Sequence, residues 1–291
     1  MSYLGIIFAL VALFAWGFGD FFIQRASRKI GIMQALFFNT LAVSVVLLPF
    51  VWNQIPNLVS DQVTFWALIG IGVAFFFTGT LQFYVLEIGK LAVVEPIASL
   101  ELPLTVLISA VIGAELLSAP SYVIIAIVFL GIALTVSPHA FHLGHIFRRL
   151  EKGTFVALLG ALGMALTNFL MGHASQITSP VLTVWLVDVV ILVMATVILL
   201  YNNQFKHLYQ DFKKAPGAII AESTLDNIAW LAYCLAVIYI PISIAITISE
   251  SYIILAVLLG IFINKEKLKH HQTLGIIFAI GGVLLLSWMT G

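Results

Sequence analysis

Residues 5–21 read GIIFALVALFAWGFGDF, and residues 153–169 read GTFVALLGALGMALTNF. The two stretches align without a gap, so that Asp20 stands opposite Asn168. Each is apolar over a length that can cross about 30 Å of hydrocarbon as an α-helix. No basic segment precedes the first stretch, and we interpret it as a spanning helix and not as a cleaved secretory signal. The chain is therefore predicted to start with a membrane helix and to use a related one again in its second half.

The similarity continues along the chain at a nearly constant offset. Its further matches are Ala26-Ser27 with Ala174-Ser175, Tyr84 with Tyr233, Glu101 with Glu250 and, after a two-residue insertion, Glu115 with Glu266 and Gly131 with Gly282. Each match alone is weak, because apolar helices resemble each other by chance. The ordered series predicts a duplicated chain.

Composition excludes a water-soluble domain. Of the 291 residues 9% are charged and 62% are apolar, and the mean hydropathy is +1.13. A soluble domain needs a far more charged surface than this. The formal net charge is zero, which gives no indication of a nucleic-acid partner. Cys234 is the single cysteine, so an intramolecular disulfide is excluded.

Ten apolar segments are long enough to span a bilayer, and turn or polar residues separate them. They lie at 4–23, 31–50, 64–86, 91–113, 120–137, 153–172, 179–201, 215–238, 241–263 and 273–289. The predicted fold is an all-α integral membrane protein with ten transmembrane helices. The repeat divides it into residues 1–147 and 148–291, with five helices each. Because five is odd, the second half must be inverted relative to the first, as in many secondary transporters.

Short motifs in these spans resemble those of a known family. They are Trp16-Gly17, Ser99-Leu100-Glu101-Leu102-Pro103, Gly113-Ala114-Glu115, Ser249-Glu250-Ser251, Lys265-Glu266 and the glycines Gly131, Gly281 and Gly282. Over essentially its whole length the chain resembles the ten-helix EamA-like branch of the drug/metabolite transporter superfamily. The resemblance implies transport of a metabolite, a drug or an amino acid.

The basic residues predict the orientation. All thirteen Lys and Arg residues lie in or beside loops on one side of the predicted membrane. The positive-inside rule places these loops in the cytoplasm and both termini outside. We therefore expect a multi-pass protein of the plasma (inner) membrane.

The acidic residues lie deeper than the basic ones. Within the predicted spans are Asp20, Glu95, Glu101, Asp188, Glu222, Asp226 and Glu250. A charged side chain at the bilayer centre costs about 3 kcal/mol or more, and protonation, water or a bound cation lowers that cost. These residues predict a net-acidic cavity. The alternative is that individual carboxyl groups only hydrogen-bond neighbouring helices together.

Helical spacing groups the candidate substrate-binding residues. Glu222, Asp226, Trp230 and Tyr233 recur at i, i+4, i+8 and i+11 and share one face of span 8. Carboxylates beside aromatic rings suit an organic cation, although a packing face with two buried acids explains the pattern equally well. Spans 1 and 7 complete the predicted substrate-binding set with Trp16 and Asp20, and with Trp185 and Asp188.

Two pairs of repeat-related glutamates are candidates for coupling and gating. Glu101 and Glu250 lie near the middle of spans 4 and 9, where two carboxylates should not both stay ionised without a cation. We predict that one or both exchange a proton during transport; alternatively, they only fasten helices together. Glu115 and Glu266 lie at span ends, where we predict capping or gating contacts with basic loops.

No pattern indicates a cofactor, a metal site or a hydrolytic centre. Gly-rich phosphate loops, nucleophile elbows and paired metal-binding histidines are missing from the sequence. His139, His142 and His145 have helical spacing, and we interpret them as a solvated helix face in preference to a surface metal site. The expected partners are a small-molecule substrate, the lipid bilayer and, where transport is coupled, protons.

These observations predict a secondary transporter and not an enzyme. The favoured substrate is a cationic or amine-bearing metabolite, moved by alternating access with or without proton coupling. One alternative is an uncoupled facilitator of neutral metabolites or amino acids. Another is a membrane-embedded enzyme acting on a lipid-linked substrate, since an acidic cavity also suits catalysis. A non-transporting scaffold explains the midplane acids poorly.

Overall fold

The computed structural model describes residues 2–88, 100–136, 154–252, 255 and 269–290, and these residues form helices joined by short turns. The α-helices are α1 (Ser2–Ile30), α2 (Ile32–Val51), α3 (Ile55–Ser60), α4 (Gln62–Ile88), α5 (Glu101–Val111), α6 (Ala119–Val136), α7 (Thr154–Ile177), α8 (Pro180–Tyr201), α9 (Leu208–Lys214), α10 (Pro216–Tyr239), α11 (Ile242–Ser249) and α12 (His270–Thr290). Glu95, Glu266 and the three histidines of residues 139–145 lie outside the described residues.

The helices confirm an all-α membrane fold. Five helical stretches are long and apolar enough to cross a bilayer: Ser2–Ile30, Ile32–Ser60, Gln62–Glu87, Leu158–Ile177 and Pro180–Tyr201. Glu101–Val111, Ala119–Leu134 and His270–Leu285 are shorter apolar helices. The number of ten spans stays a prediction.

The first helix is longer than the sequence predicts. Polar residues at 25–29 indicate a turn, but α1 continues through them to Ile30. Ala26 and Ser27 are fully buried there while Arg28 is exposed, so this segment has a packing face that keeps it helical. Gly31 then ends the helix with a φ of 95°, a left-handed conformation that favours glycine.

Helices of the first half pack mainly against helices of the second half. The α1 helix lies along α10, α4 along α7, α2 along α8 and α6 along α12, while α5 contacts α7 and α11 contacts α1. Under the sequence repeat, α1, α2, α4, α5 and α6 correspond to α7, α8, α10, α11 and α12. The α1–α10 contact then corresponds to α4–α7, and α5–α7 corresponds to α11–α1. The repeat exchanges α2 with α8 and α6 with α12, so each of these two contacts is mapped onto itself.

Glycines allow the closest helix contacts. A β-carbon on Gly131 of α6 would lie 2.6 Å from the backbone nitrogen of Ala279 in α12. A β-carbon on the repeat-related Gly282 would lie 2.5 Å from Val128 of α6. The α6–α12 crossing therefore depends on a glycine from each half.

Side chains near the ends of α1 and α7 bind the carboxyl ends of their partners. Arg28 donates from Nε to the carbonyl of Glu87, at 3.0 Å, and so satisfies the end of α4. At the related place in the second half, Gln176 donates from Nε2 to the carbonyl of Val237, at 2.9 Å. The two halves thus fasten equivalent helix ends in the same manner.

The outer surface is apolar. Val63, Val111 and Trp288 are 80–82% exposed, and large apolar side chains point outward from most of the long helices. Such a surface suits hydrocarbon and not water. The polar side chains described next lie inside the bundle.

Candidate functional site

Close packing of α1 against α10 builds the centre of the site. A β-carbon on Gly5 would lie 2.9 Å from the side chains of Tyr239 and Ile240, and one on Gly19 would lie 3.6 Å from the backbone nitrogen of Asp226. The helices are therefore antiparallel, and small residues of α1 let α10 approach. This contact brings the polar and aromatic faces predicted for spans 1 and 8 together.

Five aromatic side chains from four parts of the bundle form an aromatic cluster: Trp16 of α1, Phe75 of α4, Trp230 and Tyr233 of α10, and Tyr252 beyond α11. The ring centroids of Trp16 and Trp230 are 5.1 Å apart in an edge-to-face arrangement, and those of Phe75 and Trp230 are 4.7 Å apart. These are the geometries that aromatic pairs favour.

Carboxylates adjoin the aromatic cluster. Asp20, Asp188 and Glu222 each lie within Coulombic range of Asp226, and we call these four residues the acidic group. Asp20, from α1, also lies within hydrogen-bonding reach of the Tyr252 hydroxyl. Three helices, α1, α8 and α10, thus place acidic side chains around Asp226.

Asp226 is held by neutral donors. Asn39 of α2 donates from Nδ2 to its Oδ2, at 2.9 Å, and the Trp16 indole N–H lies within hydrogen-bonding reach. Asn227 in turn donates to Asn39 Oδ1, at 2.9 Å, which orients the Asn39 amide. Asp226 therefore has hydrogen-bond donors but forms no ion pair with any described residue.

Glu222 differs from Asp226 in having no partner. Its side chain is fully buried, and neither carboxylate oxygen makes a hydrogen bond among the described residues. It lies one helical turn before Asp226 on the same face of α10.

A neutral amide lies on the other side of the aromatic cluster. The Tyr233 hydroxyl donates to the backbone carbonyl of Asn168 in α7, at 2.9 Å. The Asn168 side chain is 1% exposed, and both its amide atoms lack a hydrogen-bond partner within the described part of the chain. Asn168 is the repeat-related counterpart of Asp20, so equivalent places in the two halves both reach the centre.

Trp185 and Asp188, which the sequence groups together on span 7, have different surroundings in the structure. The Trp185 indole N–H donates to the carbonyl of Ser44 in α2, at 3.0 Å, so that this ring fastens α8 to α2 and is outside the aromatic cluster. Asp188 is half-buried one turn further along and interacts with Asp226.

Glu101 and Glu250 are both buried where a helix starts or stops. Glu101 is 7% exposed in the first turn of α5, and Glu250 is 5% exposed directly after the last residue of α11. The helices α5 and α11 contact each other, and Glu250 is close enough to Tyr233 to interact electrostatically. Both glutamates have polar or electrostatic partners of their own.

Glu115 binds the start of a helix in the other half. Its Oε1 accepts the backbone N–H of Ile242 at 2.6 Å, and its Oε2 accepts the N–H and the hydroxyl of Ser243 at 3.0 and 2.5 Å. Pro241, the residue before α11, provides no side-chain cap of its own. Among the described residues, Glu115 thus caps a helix amino end. The contact with a basic loop expected from the sequence stays a prediction. Its counterpart Glu266 lies outside the described residues.

Four contributors were missed by the sequence reasoning. Asn39 had a usable signal, because it stands 149 residues before Asp188, the same offset that relates Glu101 to Glu250. Asn227 directly follows Asp226, and Tyr252 directly follows the Ser249-Glu250-Ser251 motif. Phe75 lies in an apolar run, where its sequence position does not distinguish it from other apolar residues. Among the described residues, no group of three or more His, Cys, Asp or Glu side chains has the arrangement of a metal site.

Comparison with known proteins identifies the family and the fold. Residues 3–137 and 151–288 each match the model of the EamA-like transporter family. A solved crystal structure of another protein is similar over 98% of each chain, with a TM-score of 0.69 and 14% sequence identity, which bears on the fold alone. No curated protein matches the sequence.

Proposed function

Because the chain belongs to the EamA-like transporter family, we propose that it is a secondary transporter that moves a small cationic or amine-bearing metabolite across the plasma membrane. The observation that carries the proposal is the acidic group beside the aromatic cluster. No described Lys or Arg lies among them, and an unpaired charge at this depth costs about 3 kcal/mol or more. A bound cation would offset that cost through charge and through the ring faces.

Reconstitution tests this function directly. The purified protein in liposomes is assayed for uptake and efflux of amines, amino acids and nucleosides, with and without an imposed proton gradient. We expect saturable transport of a cationic compound, reduced in Asp226→Asn and unchanged in Asp61→Asn, which removes an exposed loop carboxylate. Tight binding and transport of a purely anionic compound would contradict the assignment, since no described Lys or Arg lies at the site to receive it.

The mechanism we propose is alternating access between inverted halves, residues 1–147 and 148–291. Two separate matches to one family model and the exchange of helix contacts under the repeat support the duplication. Inverted duplication fits two-sided access to a central site, and it has no evident use for an enzyme acting from one side.

Glu115 is proposed as a gate of this cycle. Its three hydrogen bonds join the loop after α5 to the start of α11 and so hold the two halves together at one end of the bundle. Glu266 is proposed for the equivalent role at the other end. In a Cys234→Ala background, single cysteines near residues 115 and 266 should change reactivity in opposite senses when a transported compound is added. Parallel changes would indicate a channel.

Glu101 and Glu250 remain the proposed coupling pair. Their burial in two contacting helices, with Glu250 near Tyr233, supports a link between protonation and the site. The competing role, fastening α5 and α11 to their neighbours, also fits their buried positions. The effect of substitution on the pH profile distinguishes the two.

Orientation is proposed from charge. With the basic loops in the cytoplasm, both termini and the Glu115 contact lie outside. Epitope tags at both ends should bind antibody on intact cells. Binding only after permeabilisation would reverse the orientation.

A further inference from the structure

The fully buried Glu222 has a feature that Asp20 and Asp226 lack. Asp226 accepts a hydrogen bond from Asn39, and Asp20 has the Tyr252 hydroxyl within reach. The two oxygens of Glu222 are enclosed without a hydrogen-bond donor from any residue that the structure describes. An ionised carboxylate in such an environment loses its hydration and gains nothing in exchange.

The charges that face α10 do not stabilise a negative Glu222. Asp226, on the same helix, lies within Coulombic range of Glu222. Of the elements packed against α10, α1 carries Asp20, α8 carries Asp188 and the end of α11 carries Glu250, and all three are acidic. On α9, Lys214 pairs with the buried Asp211 at 2.6 Å, so that its charge is already compensated. Arg25 of α1 is exposed and lies over the ring of Phe21. His173 of α7 is exposed, and α2 presents no titratable group.

We propose that Glu222 is a proton-binding site inside the bundle and carries a proton at neutral pH in the described conformation. A protonated carboxyl group is neutral, which removes the repulsion from Asp226 and most of the desolvation cost. The proton-binding role of Glu222 replaces the substrate contact predicted for it from the sequence, which stays with the other three members of the acidic group. Glu222 is also distinct from the Glu101–Glu250 pair, whose members have partners.

The position of Glu222 is suited to proton exchange with the solution on one side of the membrane. It lies less than two turns from the start of α10 at Pro216, the end that follows the basic α9 segment. The buried hydroxyl groups of Ser27 and Ser223, which have no hydrogen-bond partner among residues 2–88, 100–136, 154–252, 255 and 269–290, lie toward this end of the α1–α10 pair. If the proposed transport function holds, a cation arriving beside Asp226 favours loss of the Glu222 proton, and proton and cation then move in opposite directions.

Infrared spectroscopy tests the proton without a substrate. The carbonyl stretch of a protonated carboxylic acid is recorded in lipid at neutral pH for wild type, Glu222→Gln, Glu222→Asp and the control Asp61→Asn. We expect the band in wild type and in Asp61→Asn, a band shifted in frequency in Glu222→Asp, and loss of that component in Glu222→Gln. An identical band in Glu222→Gln, or no band in wild type, overturns the proposal. The Asp variant shows whether loss in the Gln variant reflects misfolding, because it retains the carboxyl group.

A second measurement separates this inference from the transport function. Choline is used as the probe, because its charge does not change with pH. In wild type, choline should reduce the Glu222 component of the band, and Glu222→Gln should bind choline with a weaker pH dependence. A Glu222 component that persists while choline binds would overturn the link between the proton and the cation. If choline and the compounds of the transport panel all fail to bind, the cation assignment fails, whereas the spectra without ligand still decide whether Glu222 holds a proton.

Discussion

Removing the Glu115 carboxylate should loosen one end of the bundle. In Glu115→Ala the N–H groups of Ile242 and Ser243 and the hydroxyl of Ser243 lose their acceptor. Loss of a helix cap costs about 0.5–2 kcal/mol, and loss of a negative charge at a helix amino end costs about 0.3–1 kcal/mol. Because Glu115 is half-exposed, water replaces part of the interaction. We expect a net loss of about 1–2 kcal/mol, which corresponds to roughly a 5- to 30-fold change in an equilibrium constant.

The assay measures the rate of thiol labelling at a buried position next to the Glu115 contact. Ser109 of α5 is fully buried, and its carbonyl accepts the N–H of Glu115 at 3.1 Å. A Ser109→Cys reporter in a Cys234→Ala background should react with a membrane-impermeant reagent about 5- to 30-fold faster when Glu115→Ala is added. Glu115→Gln keeps one acceptor and should produce a smaller increase.

Asp61→Ala provides the matched control. Asp61 also accepts an N–H at the start of a helix, that of Thr64 in α4, at 3.2 Å, but this contact stays within one half. Hydrogen bonds from Thr64 hold the pKa of Asp61 below its usual range. Equal acceleration by Asp61→Ala would indicate general loosening, and no acceleration by Glu115→Ala would refute the role of Glu115 as a gate.

Three further predictions address packing, binding and coupling. Gly131→Leu should destabilise the α6–α12 crossing by about 1–3 kcal/mol or more, measured by thermal unfolding in detergent, whereas Gly281→Leu, which meets open space, should leave the melting temperature near that of wild type. Trp230→Phe should weaken binding of a transported cation modestly and Trp230→Ala strongly, when measured on the folded fraction; equal affinities would remove the ring from the binding site. Glu101→Gln and Glu250→Gln should transport with a flattened pH profile if the pair exchanges a proton, and two wild-type profiles would leave these residues with a structural role only.

The sequence predicted the long apolar helices but not all of their ends. Apolar length predicts the spans, because lipid requires every backbone group to bond within its own segment. It failed at residues 25–29, where polar side chains indicate a turn. Ala26 and Ser27 show that helix continuation is decided by burial against a partner, which composition does not reveal.

The site was predictable where its residues share one helix. The spacing of Asp226, Trp230 and Tyr233 places them together whatever packs against them. Their meeting with Trp16 depends on how closely α1 and α10 approach, which is a property of the assembled bundle. The partner of Glu115 could not be predicted for a different reason. Every residue except proline has a backbone N–H group, so the sequence does not show which of these groups a carboxylate binds.

At two repeat-related positions one half has an acidic residue and the other half has an asparagine, so charge is distributed asymmetrically between the halves. Where α1 has Asp20, α7 has Asn168, and where α8 has Asp188, α2 has Asn39. A carrier with identical halves would show a charged ligand the same potential on entering from either face. If the proposed alternating access holds, the two routes cross different potentials, and the rate constants for inward and outward movement of a charged ligand should be unequal. The apparent affinity should then differ between the two faces, although the final distribution of an uncoupled solute would still depend only on its electrochemical gradient.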